Sequence, residues 1–252
     1  SVVESTDESS DYWKKEKISF NAAYGNERIA AYLFLPKKGA PPYQTIIYFP
    51  GAQALSLRSS EDLGMSHIDF IIKSGRACLY PVYKSTYERG DGFDLASSTL
   101  NVWRDHLIFW VKELGRSIDY LETRVDIDSR KIAYLGSSLG GMTGVLLLPY
   151  EERIKACVLV AGGFSPVSGF EAVPEFDFVN LAPRVTVPTL MLNGRYDFVF
   201  PMETSQKPMF DFLGTPKEQK KHVLYDTAHG VPRNEEIKET LNWLDLYLGP
   251  VR

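Results

Sequence analysis

Cysteine and histidine are scarce in this chain, with two and four among its 252 residues. Two thiols make no disulfide framework and no cysteine-rich metal site, and Cys78 and Cys157 both fall in apolar, β-like runs where a free thiol packs as a small hydrophobe. They are expected in the core, and they leave the compartment open between cytoplasm and secretion. A basic excess is also missing: 28 Lys and Arg face 32 Asp and Glu, for a net charge of −4. Nucleic acid is therefore not an expected partner. The longest apolar runs, 145–148 and 157–161, fall far short of the roughly 20 residues that span a bilayer, so no membrane span is expected. The chain has no Gly-x-Gly-x-x-Gly fingerprint, phosphate-binding loop or His-Glu-x-x-His pattern, which argues for chemistry without cofactor or metal.

With 44% hydrophobic and 24% charged residues, the chain is long enough to bury one large core. Residues 1–14 are polar and acidic and read as a linker or frayed end, of the kind that would join the chain to an upstream domain in a longer parent protein. Residues 15–252 read as one domain. Alternating stretches at 17–22 and 28–35 predict a β-hairpin forming an antiparallel edge. Apolar, β-branched runs follow at 45–49, 77–82, 131–135, 156–160 and 189–192, with a last strand at 222–225. Helical stretches alternate with them at 61–73, 98–123, 139–148, 203–212 and 234–248. That alternation predicts an α/β architecture with a mostly parallel sheet covered on both faces. An insertion near 162–183, rich in Phe, Pro and Gly, is expected to form a small lid.

The chemistry centres on Gly136-Ser137-Ser138-Leu139-Gly140, set between a strand-like and a helix-like stretch. Gly-x-Ser-x-Gly alone arises by chance in about one chain in ten of this length, so flanks and partners must decide. A serine hydroxyl becomes a useful nucleophile when a tight strand-to-helix turn projects it toward a base, and small residues two positions either side permit that turn. The helix behind it aims free N–H groups at the reaction centre, which makes Leu139 N–H an oxyanion donor. For the base, His67 and His106 lie in helical stretches and His222 opens a strand, whereas His229 sits in the turn-forming loop Thr227-Ala228-His229-Gly230, over the sheet's carboxyl edge. His229 is the expected base. Asp197, in the polar turn after the strand 189–192, is the expected carboxylate that orients it, with Asp226 as competitor. Gly51 permits close backbone approach after the strand ending at Phe49, so Ala52 N–H is the expected second oxyanion donor, with Gln53 as alternative.

Gly-Ser-Ser-Leu-Gly-Gly at 136–141, Leu-Asn-Gly-Arg-Tyr-Asp at 192–197 and Ala-His-Gly at 228–230 resemble the nucleophile, acid and base segments of the α/β-hydrolase family. The resemblance runs from the hairpin near Lys17 to Leu248. It is strongest to the branch holding acetyl esterases, dienelactone-hydrolase-like proteins and prolyl-oligopeptidase-type catalytic domains, and it extends to esterase-like modules at the carboxyl end of larger bacterial proteins. Dienelactone hydrolases proper carry a cysteine where this chain has Ser138, and the loop Pro50-Gly51-Ala52-Gln53 lacks the His-Gly-Gly signature of many lipases.

The expected activity is that of a serine carboxylester hydrolase working through an acyl-enzyme on a small-molecule ester. A peptidase and a catalytically silent binding module are the alternatives. Tyr87 and Arg89, in the loop after the strand 77–82, and Phe164, with Phe170, Phe176 and Phe178 of the insertion, are expected beside the pocket together with Gln53. An accessible cleft favouring short-chain or aryl esters is expected.

Overall fold

Successive side chains of a strand point to opposite faces, so a run that is apolar at every position needs cover on both sides. The computed structural model describes residues 1–61, 63–165, 169 and 172–251. Among them the strands are β1 (Val2–Asp7), β2 (Trp13–Asn21), β3 (Arg28–Pro36), β4 (Tyr43–Phe49), β5 (Ala77–Pro81), β6 (Ile127–Ser137), β7 (Ile154–Val160), β8 (Thr189–Gly194) and β9 (Lys220–Tyr225), with runs of that kind in the central β4, β5 and β7. They build one sheet in the order β1-β2-β3-β5-β4-β6-β7-β8-β9. The pairs from β1 to β5 are antiparallel, and β5-β4 and all later pairs are parallel.

The helices are α1 (Gln53–Ser56), α2 (Asp69–Lys73), α3 (Leu100–Glu122), α4 (Leu139–Leu147), α5 (Phe178–Leu181), α6 (Lys207–Phe212) and α7 (Arg233–Leu248). Alternation along β4 shows how they cover the sheet. Ile47 and Phe49 join a core cluster with Trp103, Trp110 and Leu114 of α3 and Val145 of α4. Ile46 and Tyr48 join the opposite cluster, with Phe70 and Ile71 of α2 and Trp243 and Leu244 of α7. Cys157 belongs to the first cluster and Cys78 to the second, so the sheet separates two free, buried thiols. Burial pushes both thiols up from their ordinary range. No helix among the described residues is long and apolar enough to cross a membrane.

Four expectations need correction. Residues 2–7 are not a frayed linker: they pair antiparallel with β2, Val2 opposite Ser19 and Asp7 opposite Lys15. All six are exposed, and their polar composition is that of an edge strand meeting water. The hairpin is consequently β2-β3 inside the sheet, and β1 is the edge. The helix expected over 61–73 shrinks to a 3₁₀ turn at Met65–His67 and to α2, because Gly64 ends any earlier helical run. The helix expected over 203–212 opens with one π-turn at Met202–Gln206 before α6, where Pro208 has no N–H to offer the preceding turn. Within the described part of the insertion near 162–183, Phe176, Phe178 and Leu181 are buried in the α3-α4 side of the core, and Ser165 lines the cavity at Ser138.

Candidate functional site

The turn between β6 and α4 gives Ser138 a φ of 51° and a ψ of −106°. A residue with a Cβ holds such angles only when its surroundings impose them. Here they do: Ser138 N–H donates to the Val160 carbonyl at 2.8 Å, and Met142 N–H donates to the Ser138 carbonyl at 2.8 Å. The glycines follow from packing. A Cβ at Gly136 would collide with the Gly140 carbonyl, one at Gly140 with the Phe49 carbonyl, and one at Gly141 would stand 2.9 Å from the Val160 carbonyl. Gly140 N–H also donates to the Pro50 carbonyl at 3.1 Å, which clamps the loop after β4 to the Ser138 turn. The N–H groups of Ala52 and Leu139 meet no backbone acceptor among the described residues, and both residues line the cavity onto which Ser138 opens. This leaves two donors free beside the hydroxyl.

Asp197 and His229 meet through a second backbone seam. Gly194 at the end of β8 lies so near residues 227 and 228 that a Cβ there would strike their carbonyl oxygens. Arg195 N–H donates to the Tyr225 carbonyl at 2.7 Å and Tyr196 N–H to that of Thr227 at 3.0 Å. Across the seam, His229 Nδ1 lies 2.8 Å from Asp197 Oδ2, and His229 Nε2 lies 3.0 Å from Ser138 Oγ. With the Nδ1 proton held by the carboxylate, Nε2 is the nitrogen left to take the hydroxyl proton. Asp197 Oδ1 accepts the N–H groups of Val199 and Phe200 at 2.8 and 3.0 Å, and its side chain is wholly buried. Asp226 points elsewhere: it is exposed and bound to Arg195 Nε at 3.0 Å.

The cavity at Ser138 has a volume of about 120 Å³. Leu139 and Met142 of α4, Trp103 of α3, and Val199 and Phe200 after the acid form its walls. Ala52, Leu95 and Ser165 complete it. A wider hollow of about 450 Å³ shares Ala52 and Leu95 with this cavity and carries Ser56, Arg58, Ser85 and Asp94. Position alone could have revealed Met142, one helical turn beyond Ser138, and Val199 and Phe200, which follow Asp197 directly. Trp103 and Leu95 carry no such signal, because only the packing of α3 brings them in.

Gln53, Tyr87, Arg89 and Phe164, all expected at the pocket, are not part of the cavity lining. Tyr87 is buried, hydrogen-bonded to the Tyr80 hydroxyl at 2.6 Å, in the core cluster beside α2 and α7. Arg89 is bound to Glu113 at 2.5 Å, to the Val82 carbonyl at 2.7 Å and to Glu27 at 3.1 Å. Glu113 is fully buried, where burial pushes its carboxyl up while Arg89 holds it down, so this guanidinium is taken up in neutralising a core carboxylate. The Phe164 ring packs on Phe178 and Phe212, with centroids 5.3 and 6.0 Å apart, and is not among the residues lining the cavity. Gln53 is exposed, its amide oxygen against Gly51 and outside the cavity lining. Phe170 lies outside the described residues. The other histidines have structural partners: His106 binds Asp91 at 3.0 Å, His222 binds Asn193 at 3.1 Å, and His67 stacks on Tyr48. Among the described residues no cluster of His, Cys, Asp and Glu could hold a metal ion.

Comparison with known proteins bears on this geometry. A family model described as serine hydrolase (FSH1) matches residues 115–241, a stretch that includes Ser138, Asp197 and His229. The acetyl esterase Axe7A of Xylanibacter ruminicola is 26% identical over 126 residues, 41% of this chain and 28% of that protein. The hydrolyase poxO of Penicillium oxalicum is 24% identical over 246 residues, 88% of this chain and 53% of that protein. The chain thus spans about half or less of the length of these relatives. Among solved structures, a cold-adapted esterase from an Arctic intertidal metagenomic library superposes with a TM-score of 0.74 at 17% identity, covering all of both chains. With the family model spanning half of the chain and the fold matched from end to end, the chain belongs to the serine hydrolase (FSH1) family and has the α/β-hydrolase fold.

Proposed function

We propose that the protein is a serine carboxylester hydrolase for short-chain esters of small molecules, with Ser138 as nucleophile, His229 as base and Asp197 as the carboxylate that orients it. Residues 15–252 carry the catalytic machinery in this reading, and β1, ahead of them in the chain, adds the outer edge strand to their sheet. The observation that carries it is the unbroken hydrogen-bonded line from Asp197 through His229 to Ser138, ending beside two free N–H groups. His229 Nε2 takes the Ser138 proton as Oγ attacks the ester carbonyl. The oxyanion is held by the N–H groups of Ala52 and Leu139, and the same histidine then protonates the departing alkoxide. Water, activated by His229, attacks the acyl-enzyme and releases the acid and the serine.

The two hollows divide the substrate. About 120 Å³ of apolar space equals roughly four water volumes, which suits an acetyl to butyryl group and is tight for an aryl acid. The larger, hydroxyl- and charge-lined hollow suits a polar alcohol.

Hydrolysis of p-nitrophenyl esters from acetate to palmitate tests this. The expected rate peaks between acetate and butyrate and falls by about 10⁴-fold or more in Ser138→Ala. A fluorophosphonate should label the wild type and not the variant. Turnover that persists in Ser138→Ala, or a folded wild type that neither turns over esters nor takes the label, overturns the reading.

A further inference from the structure

The small cavity ends against Trp103 of α3 and Met142 of α4, and one helical turn further along both helices a second apolar cavity opens. This one has a volume of about 270 Å³ and is lined by Leu107, Ile108 and Val111 of α3, Leu146 of α4, and Phe176 and Leu181. Leu107 and Leu146 stand four residues beyond Trp103 and Met142. On each helix the two side chains therefore share a face, about 6 Å apart along the axis. Both helices leave the carboxyl edge of parallel strands and return to the opposite edge, so they run side by side in the same direction. The second cavity thus continues the first on the side away from Ser138. Trp103 and Met142, 1% and 4% exposed, line the first cavity one helical turn before Leu107 and Leu146 line the second.

We infer that Trp103 and Met142 form a removable floor that sets the acyl-chain limit, and that the α3-α4 cavity is a latent subsite for the distal methylenes of a longer acyl chain. The inference rests on the ester-hydrolase reading, with Ser138 as the point from which the chain is measured. The chemistry of the second cavity fits an alkyl tail: aliphatic and aromatic side chains line its interior, while Arg104, Lys112 and Glu175 supply its charged groups. Ile108 is 43% exposed, so a larger side chain there can fill the cavity from the outside without displacing the core.

The test uses p-nitrophenyl esters from acetate to decanoate on the wild type, Met142→Ala, Trp103→Leu and the double variant Met142→Ala/Ile108→Trp. Labelling rates with alkyl fluorophosphonates of graded chain length, which need no turnover, run in parallel. The ratio of kcat/KM for octanoate over acetate should rise at least about tenfold in Met142→Ala or Trp103→Leu, since one methylene gained or lost in an apolar pocket changes discrimination by about 10–200-fold. In the double variant Ile108→Trp should cancel the gain. An optimum that stays at short chains in both folded floor variants overturns the floor. A gain that survives Ile108→Trp overturns the latent subsite. Failure of the esterase reading itself shows differently, as wild-type enzyme without Ser138-dependent turnover of any ester.

Discussion

On the nucleophile side the site is held by backbone against backbone, whereas on the acid-base side a backbone seam at Gly194 carries side chains that complete the site, and the acyl wall is made of side chains alone. The first half consists of the Ser138 turn, the loop at Pro50 and the start of α4, and its contacts are glycine Cα atoms against carbonyl oxygens. No substitution can adjust those contacts gradually, because the smallest added group already collides. The second half consists of the Asp197 and His229 side chains, Trp103, Met142, Val199 and Phe200. These can be exchanged one by one while the strands stay in place. In the proposed reaction this makes the position of charge development rigid and leaves the shape of the substrate open to change.

Breaking the side-chain half should have the larger effect. Asp197→Asn replaces the oxygen that holds the Nδ1 proton of His229 by an amide, which favours the tautomer with its proton on the wrong nitrogen. The expected loss is about 10⁴-fold in kcat, with trace activity left and the fold intact by circular dichroism. Asp226→Asn, made as a control, should leave kcat within about twofold, as expected for an exposed residue away from the reaction centre. If the Asp226 variant is the more damaged of the two, the acid has been misassigned.

Breaking the backbone half calls for removing an N–H group instead of a side chain. Ala52 has a φ of −60° and its N–H meets no backbone acceptor among the described residues. Proline, which needs φ near −65° and has no N–H, fits there, and Gly51 before it adapts easily. Ala52→Pro should lower kcat by about 10²–10³-fold with little change in KM or in melting temperature. An unchanged kcat would move the second donor from Ala52 to Gln53.

The same division explains what was legible in the sequence. Contacts that need a glycine or a turn leave a mark in the chain, so the residues around Ser138, Asp197 and His229 could be read in order, as could the parallel strands with their two-faced apolar runs. Side-chain neighbours that meet only through tertiary packing leave none. Arg89 was expected beside the pocket, and nothing local in the chain announced that the buried Glu113, 24 positions on, claims it. Trp103 could not be assigned to the acyl wall before the axis of α3 was known. The composition of the insertion near 162–183 did not say which of its phenylalanines enter the core, as 176 and 178 do. Residues 2–7 looked disordered by composition because an exposed edge strand and a linker draw on the same polar residues.

His222 sharpens the comparison from the stability side. Its Nε2 lies 3.1 Å from Asn193 Oδ1, and Asn193 Nδ2 donates to the Gly162 carbonyl at 2.8 Å, behind the Gly141 contact of the nucleophile turn. Burial lowers the pKa of His222 from 6.5 to about 4, with Asp211 acting weakly in the other direction. As pH falls, the unfolded chain therefore takes up this proton before the folded one does, so the group's contribution is complete above pH 6.5 and is lost on descending through about pH 4. Allowing for partial exposure, the change is roughly 1–2 kcal/mol, or about 2–8 °C in melting temperature for a domain of this size. His222→Gln keeps an amide donor for Asn193 but cannot titrate, so its melting temperature should fall less than that of the wild type between pH 6.5 and 4. Activity at pH 8 should be the same in both, because the residue supports the backbone half without touching the reacting atoms. Parallel melting curves across that range would remove His222 from the account of acid sensitivity, and a lower kcat at pH 8 would show that the backbone half is less rigid than its glycine contacts imply.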